Sequence, residues 1–103
     1  METLKREQIR AVSRIEARFP LGAVCITLAA IQEVSADEVT AALSRHAAGD
    51  WGDLAAEDVR ANERALERGA RLISSHAAAS GATFWVITEA DRSVTTVLLP
   101  MDY

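Results

Sequence analysis

The 103-residue chain is poor in the residues that staple, break or decorate a fold: one cysteine, two prolines, five glycines and 5% aromatic side chains. A lone Cys25 excludes a disulfide framework within the chain and a four-cysteine zinc site. So few glycines and prolines exclude a collagen-like or low-complexity chain. No apolar run approaches the ~20 residues that span a bilayer. Gly-rich phosphate loops, a His-Glu-x-x-His pair, a Gly-x-Ser-x-Gly elbow and clustered Cys/His ligands are all missing. Neither a metal nor a cofactor is therefore expected. What is present is a 50% hydrophobic composition, enough at this length for one core but not for two.

The net charge is -4 and the isoelectric point near 5.1. A mildly acidic chain is a poor candidate for nucleic-acid binding, which needs Lys and Arg to replace phosphate counterions. The charges are unevenly spread. Lys5, Arg6, Arg10, Arg14 and Arg18 dominate the first twenty residues, whereas Glu33 to Glu67 holds nine acids against Arg45, Arg60 and Arg64. The start is charged throughout and lacks the apolar core of a secretory signal, so the expected location is the cytoplasm.

Ile9, Val12, Ile15 and Phe19 recur at helical spacing, which predicts a helix over 3–18, ended by Pro20. Leu21 to Leu28 is rich in β-branched residues and reads as a strand; Ala29 to Ile31 either continues it or makes a helical turn. Ser35 and Glu38 have the spacing of a capping box and open a second helix, stopped by Gly49. A third helix runs from Leu54 to Arg68, stopped by Gly69. Arg71–His76, Thr83–Glu89 and Val94–Leu99 are three short β-rich runs with connections short enough for antiparallel hairpins. The expectation is an α+β fold of order α-β-α-α-β-β-β, with three helices on a small antiparallel sheet. Residues 1–20 would be a helical extension and 21–103 a single domain.

Several polar residues invite a functional reading. His46 lies on an apolar helix stripe, where it either fills the core or serves as a base. Asn62 sits on another such stripe and is expected to be buried and bonded to backbone in or near the Gly49–Gly52 loop, a substrate-binding role being the alternative. Trp51, between two glycines and beside Asp50, reads as a plug holding that loop on the core. Glu89, Asp91, Arg92, Ser93, Thr95 and Thr96 crowd one hairpin tip. They form either a self-satisfied turn or a carboxylate and guanidinium able to hold a phosphate or a partner's polar group. Candidate binding residues are therefore Asp50, Trp51, Asp91, Arg92 and Ser93. Cys25 reads as an inert core thiol.

From Arg45 to Tyr103 the chain resembles a family of small bacterial proteins carried on plasmids, phages and integrated elements. The resemblance rests on Arg45-His46, Gly49 to Asp53, Glu57-Asp58, Asn62, Gly69, Arg71-Leu72 and Ser74. It continues through Trp85 to Ser93, Thr95-Thr96, Leu98 to Pro100 and Tyr103, with a weaker match at Leu21-Gly22 and Thr27. His76 stands where relatives usually carry Tyr, and Thr27-Leu28-Ala29 replaces a Thr-Pro-Gly. Members are sometimes labelled restriction-enzyme subunits, a role for which this chain is too short. The resemblance implies work in plasmid or phage maintenance or counter-defence, with no activity to carry over. At fold level alone, helices followed by an antiparallel meander also resemble barnase-like and RelE-like ribonucleases and toxins.

Two functions follow. One is a non-catalytic accessory protein that contacts a host or mobile-element protein, its apolar sheet supporting a homodimer. The other is a small metal-independent ribonuclease or toxin with His46, Glu89, Arg92 and Thr95 around a phosphate.

Overall fold

A computed structural model describes residues 2–3 and 17–103. The fold is α+β. Among the described residues, strands β1 (Glu2–Thr3) and β2 (Ala23–Ile26) precede helices α1 (Leu28–Glu33), α2 (Ala36–Ala47) and α3 (Ala56–Arg68). Strands β3 (Leu72–Ala77), β4 (Thr83–Thr88) and β5 (Val94–Leu98) follow, then a 3-10 turn at Pro100–Asp102. The helix expected over 3–18 falls, from residue 4 to 16, outside the described residues; Arg18 and Phe19 form a bend.

The local signals explain the element ends. At Thr27 the hydroxyl accepts the Ala30 N–H at 3.2 Å, so the chain leaves β2 straight into α1. The ambiguous Ala29–Ile31 segment is thus helical. Ser35 and Glu38 make the reciprocal capping box at 3.2 and 3.1 Å. The second Glu38 oxygen accepts the Ala79 N–H, tying α2 to the β3–β4 connection. Gly69 ends α3 at φ 70°, a left-handed conformation that costs glycine nothing.

The sheet order is β1-β2-β5-β4-β3. β3, β4 and β5 form the expected antiparallel meander, with Thr88 opposite both Leu72 and Thr95. β2 joins β5 in parallel, Val24 against Thr95, so the sheet is mixed and antiparallel-rich. Short connections dictate the meander. β2 reaches β5 only through a helical crossover, whose direction the strand sequences do not encode.

All three described helices cover one face. Ala30, Val39, Ala42, Leu43 and Ala65 meet Val24, Leu72, Phe84, Val86 and Val97 there. Fully burying a side chain such as Leu43, Leu72 or Phe84 contributes about 1.5–3 kcal/mol. Phe19 and Leu21 belong to the same core, so the bend before β2 is part of the domain's packing.

β3 is an edge strand, and the outward backbone groups of Ile73 and Ser75 are taken. Asn62 donates its amide to the Ile73 carbonyl at 2.6 Å and accepts the Ile73 N–H at 3.1 Å. The 51–53 loop does the same for Ser75, whose N–H reaches Trp51 O while its carbonyl accepts the Asp53 N–H. Asn62 is therefore buried and bonded to backbone, as expected, on the strand that the loop pairs with. An amide that pairs with both groups of one residue imitates a neighbouring strand. Gly52 lies in that loop at φ 71°, and a Cβ there would stand 2.0 Å from the Ser75 carbonyl oxygen.

Asn62→Leu strands both Ile73 groups in a buried place. Each stranded group costs about 1–3 kcal/mol. Urea titration is expected to show a lower midpoint at unchanged slope, with faster amide exchange at Ile73. An unchanged midpoint would show that water replaces the amide at no cost.

Candidate functional site

The polar hairpin residues are placed apart by the strands that carry them. Thr95 points into the core and is fully buried, whereas Glu89 and Asp91 are exposed. Asp91 Oδ1 accepts the Ser93 N–H at 3.0 Å and its hydroxyl at 2.6 Å, a closed turn that holds the carboxyl below its usual range. Arg92 has φ 63°, unusual for a residue with a Cβ. Its guanidinium donates to the carbonyls of Ala70 (2.6 Å), Glu89 (3.2 Å) and Ala65 (3.2 Å), closing the carboxyl end of α3. Arg92 thus takes the Glu89 main chain, and the Glu89 carboxylate faces Arg71 at 3.7 Å.

The Asp50–Trp51 loop is also internally bonded. Asp50 accepts from Arg45 at 2.8 Å and from the Gly52 N–H at 3.1 Å, which together lower its pKa. Trp51 is buried and donates its indole N–H to Glu63 at 2.9 Å; Glu63 in turn takes both guanidinium nitrogens of Arg18. Phe19 lies stacked on Trp51, and both rings meet His46 edge-on at about 5.5 Å.

Behind those rings runs a buried relay. His46 Nδ1 is 2.7 Å from Ser74 Oγ, and His46 Nε2 is 2.9 Å from Thr88 Oγ1. Ser74 Oγ is 2.8 Å from His76 Nε2, and Thr88 Oγ1 is 2.7 Å from Thr95 Oγ1. Thr95 donates to the Leu21 carbonyl at 2.7 Å. A carbonyl can only accept, so this last bond sets every proton upstream. Thr88 must donate to Thr95, and His46 must donate from Nε2 to Thr88. The bare His46 Nδ1 then accepts from Ser74, which accepts from His76 Nε2. His76 Nδ1 is left as an unprotonated, buried nitrogen without a hydrogen-bond partner.

Burial, with the nearby His76 and Arg92, pushes the His46 pKa down to about 3. Burial and Arg45 lower that of His76, against Asp50 and Asp53. The four residues proposed for ribonuclease chemistry therefore do not share a cleft. His46 and Thr95 are sealed in the relay, Arg92 caps a helix, and Glu89 stands outside. Phe19 lies 5.7 Å from the Arg92 guanidinium and 5.4 Å from the His46 ring.

Exposed apolar side chains mark a different place, which the sequence reading did not single out. Leu28 (63% exposed), Ile31 (43%), Met101 (82%) and Tyr103 (67%) are the large exposed hydrophobics among the described residues. All four lie on α1 and the carboxyl-terminal turn. Those two elements are joined by the Thr27 hydroxyl, which donates to Asp102 at 2.6 Å. Trp85 packs edge-on against Tyr103 beside them. The signal in the sequence was the break in alternation after Thr27, where Leu28 and Ile31 fall on the outer side of a short helix.

Among the described residues no helix is long and apolar enough to cross a membrane, and no group of three His, Cys, Asp or Glu could hold a metal ion.

Two measurements check this geometry. Both histidines have lowered pKa values when folded, so they contribute stability that is present above about pH 6.5 and is lost as pH falls toward their folded values. Unfolding near pH 5 is expected to take up protons, and nitrogen NMR at neutral pH should show both rings in the Nε2–H form. An Nδ1–H form of His46 would break the relay as drawn. Separately, Arg92→Ala removes three charge-assisted bonds and should cost about 2 kcal/mol, more than the ~0–1 kcal/mol of an exposed ion pair. A loss within that smaller range, in a denaturation titration, would show the cap to be idle.

Comparison with family models, with curated proteins and with solved structures returns no match to this chain.

Proposed function

We propose that the chain is a non-catalytic interaction protein that works in the cytoplasm by docking a host or mobile-element protein. Its resemblance to plasmid- and phage-borne proteins implies such an accessory role in maintenance or counter-defence. The observation that carries the reading is the grouping of Leu28, Ile31, Met101 and Tyr103 on two elements bonded to each other. Exposed apolar side chains lose unfavourable hydration when a partner covers them. The polar residues that would suit catalysis are meanwhile engaged inside the fold: His46 and Thr95 in the relay, Arg92 on three carbonyls and Asp91 on Ser93.

The test is capture from the bacterial host by the tagged full chain, beside a Leu28→Glu/Met101→Glu variant. One protein is expected to co-purify reproducibly with the parent and be lost with the variant, at unchanged melting temperature. Light scattering of the purified chain shows whether a second copy is the partner. Capture that survives both substitutions would refute the reading. Chelator-resistant cleavage of RNA by the full chain, abolished by Glu89→Gln, would instead restore the ribonuclease alternative.

A further inference from the structure

Beside the exposed apolar residues is a pocket of about 270 Å³, open on the sheet face away from the helices. Its floor is Ile87, Thr96 and Leu98. Ile87 and Thr96 are cross-strand neighbours, and Ile87 and Leu98 are almost fully buried. Its rim is Arg71, Glu89, Asp102 and Tyr103.

The rim's charge is lopsided: two carboxylates, Glu89 and Asp102, stand against one guanidinium. Arg71 donates one N–H to the Tyr103 hydroxyl at 2.6 Å and lies 5.4 Å from the ring centre. Its Nε stands 3.7 Å from the Glu89 carboxylate, too far for a hydrogen bond. Asp102 uses one oxygen, Oδ2, for both the Thr27 hydroxyl and the Leu99 N–H. Among the described residues, Asp102 Oδ1 accepts no hydrogen bond and the Glu89 carboxylate accepts none beyond its ion pair with Arg71. The rim thus keeps a net negative charge above an apolar floor, in a chain of charge -4.

Acceptors over an apolar floor suit a long side chain with an apolar stem and a multi-donor head. We propose that this pocket receives an arginine from an amphipathic basic segment of the partner protein. The stem would lie on Ile87 and Leu98, the guanidinium would face Glu89 and Asp102, and apolar neighbours in the segment would cover Leu28 and Met101. Charge complementarity selects the basic segment over an acidic one. The proposal rests on the interaction reading and names its partner's chemistry.

The probe is a short synthetic peptide of leucines and arginines, titrated into the isotopically labelled full chain and followed by amide NMR. A leucine–glutamate peptide and N-acetyl-arginine amide serve as controls. Saturable shifts are expected at Ile87–Glu89 and Thr96–Leu98, weakened by salt and about tenfold, or ~1.4 kcal/mol, by Glu89→Gln. Glu89 is exposed and loosely paired, so that variant should keep its melting temperature. The proposal is overturned by shifts elsewhere, by equal binding of the acidic peptide, or by indifference to Glu89→Gln. An arginine amide that binds as tightly as the peptide would make the pocket a small-cation site and overturn it too. In the host capture assay, loss with Leu28→Glu/Met101→Glu but not with Glu89→Gln overturns the pocket and keeps the interaction. Insensitivity to both overturns both.

Discussion

The hydrogen bond from Thr95 to the Leu21 carbonyl is the constraint on which the interior depends. Two imidazoles and three hydroxyls are buried in a core that could have been aliphatic. Burying such groups without partners is costly, and a partly satisfied chain is worse than none. A single acceptor at the end resolves the problem, because it orders every proton back to His76. The same chain joins α2, β3, β4, β5 and the segment entering β2, elements that apolar contact alone would allow to slide.

The backbone is handled by the same kind of device. Polar groups that secondary structure leaves open are closed by side chains shaped like the missing neighbour. Asn62 and the 51–53 loop stand in for a strand beside β3, which removes an edge that other chains could pair with. Arg92 stands in for the next turn beyond α3, and its three acceptors hold it in a conformation that its Cβ disfavours. With these polar groups engaged in the architecture, Leu28, Ile31, Met101 and Tyr103 stand out as the large exposed hydrophobics among the described residues.

Much of the fold was legible because its signals are local. The Ser35–Glu38 box, the glycine stops at 49 and 69, and the short connections of the meander each act within a few residues. Asn62 was legible as a buried amide bonded to backbone, but its partner on β3 depends on how α3 lies on the sheet. The parallel β2–β5 pair and the left-handed Arg92 were not legible, since each is set by contacts far along the chain. The site was read least well. Thr95 looked like part of a polar hairpin tip, although Leu72, Ser74 and His76 alternate along one strand and mark its inner face. Pairing register, which a lone strand does not carry, decides that Thr95, with Thr88, joins them.

The parallel pair also orders events in time. β3, β4 and β5 are joined by connections of a few residues and can zip as consecutive hairpins. β2 meets β5 only after the chain has closed a loop spanning most of the domain; Thr95 and Leu21 are 74 positions apart. The carbonyl that sets the proton order is therefore the last partner to arrive. Until β2 docks, the hydroxyls of Ser74, Thr88 and Thr95 on an assembled meander lack the carbonyl that orders their protons. Hydroxyl orientation in this core is thus a late product of folding, settled by a residue that lies outside every strand.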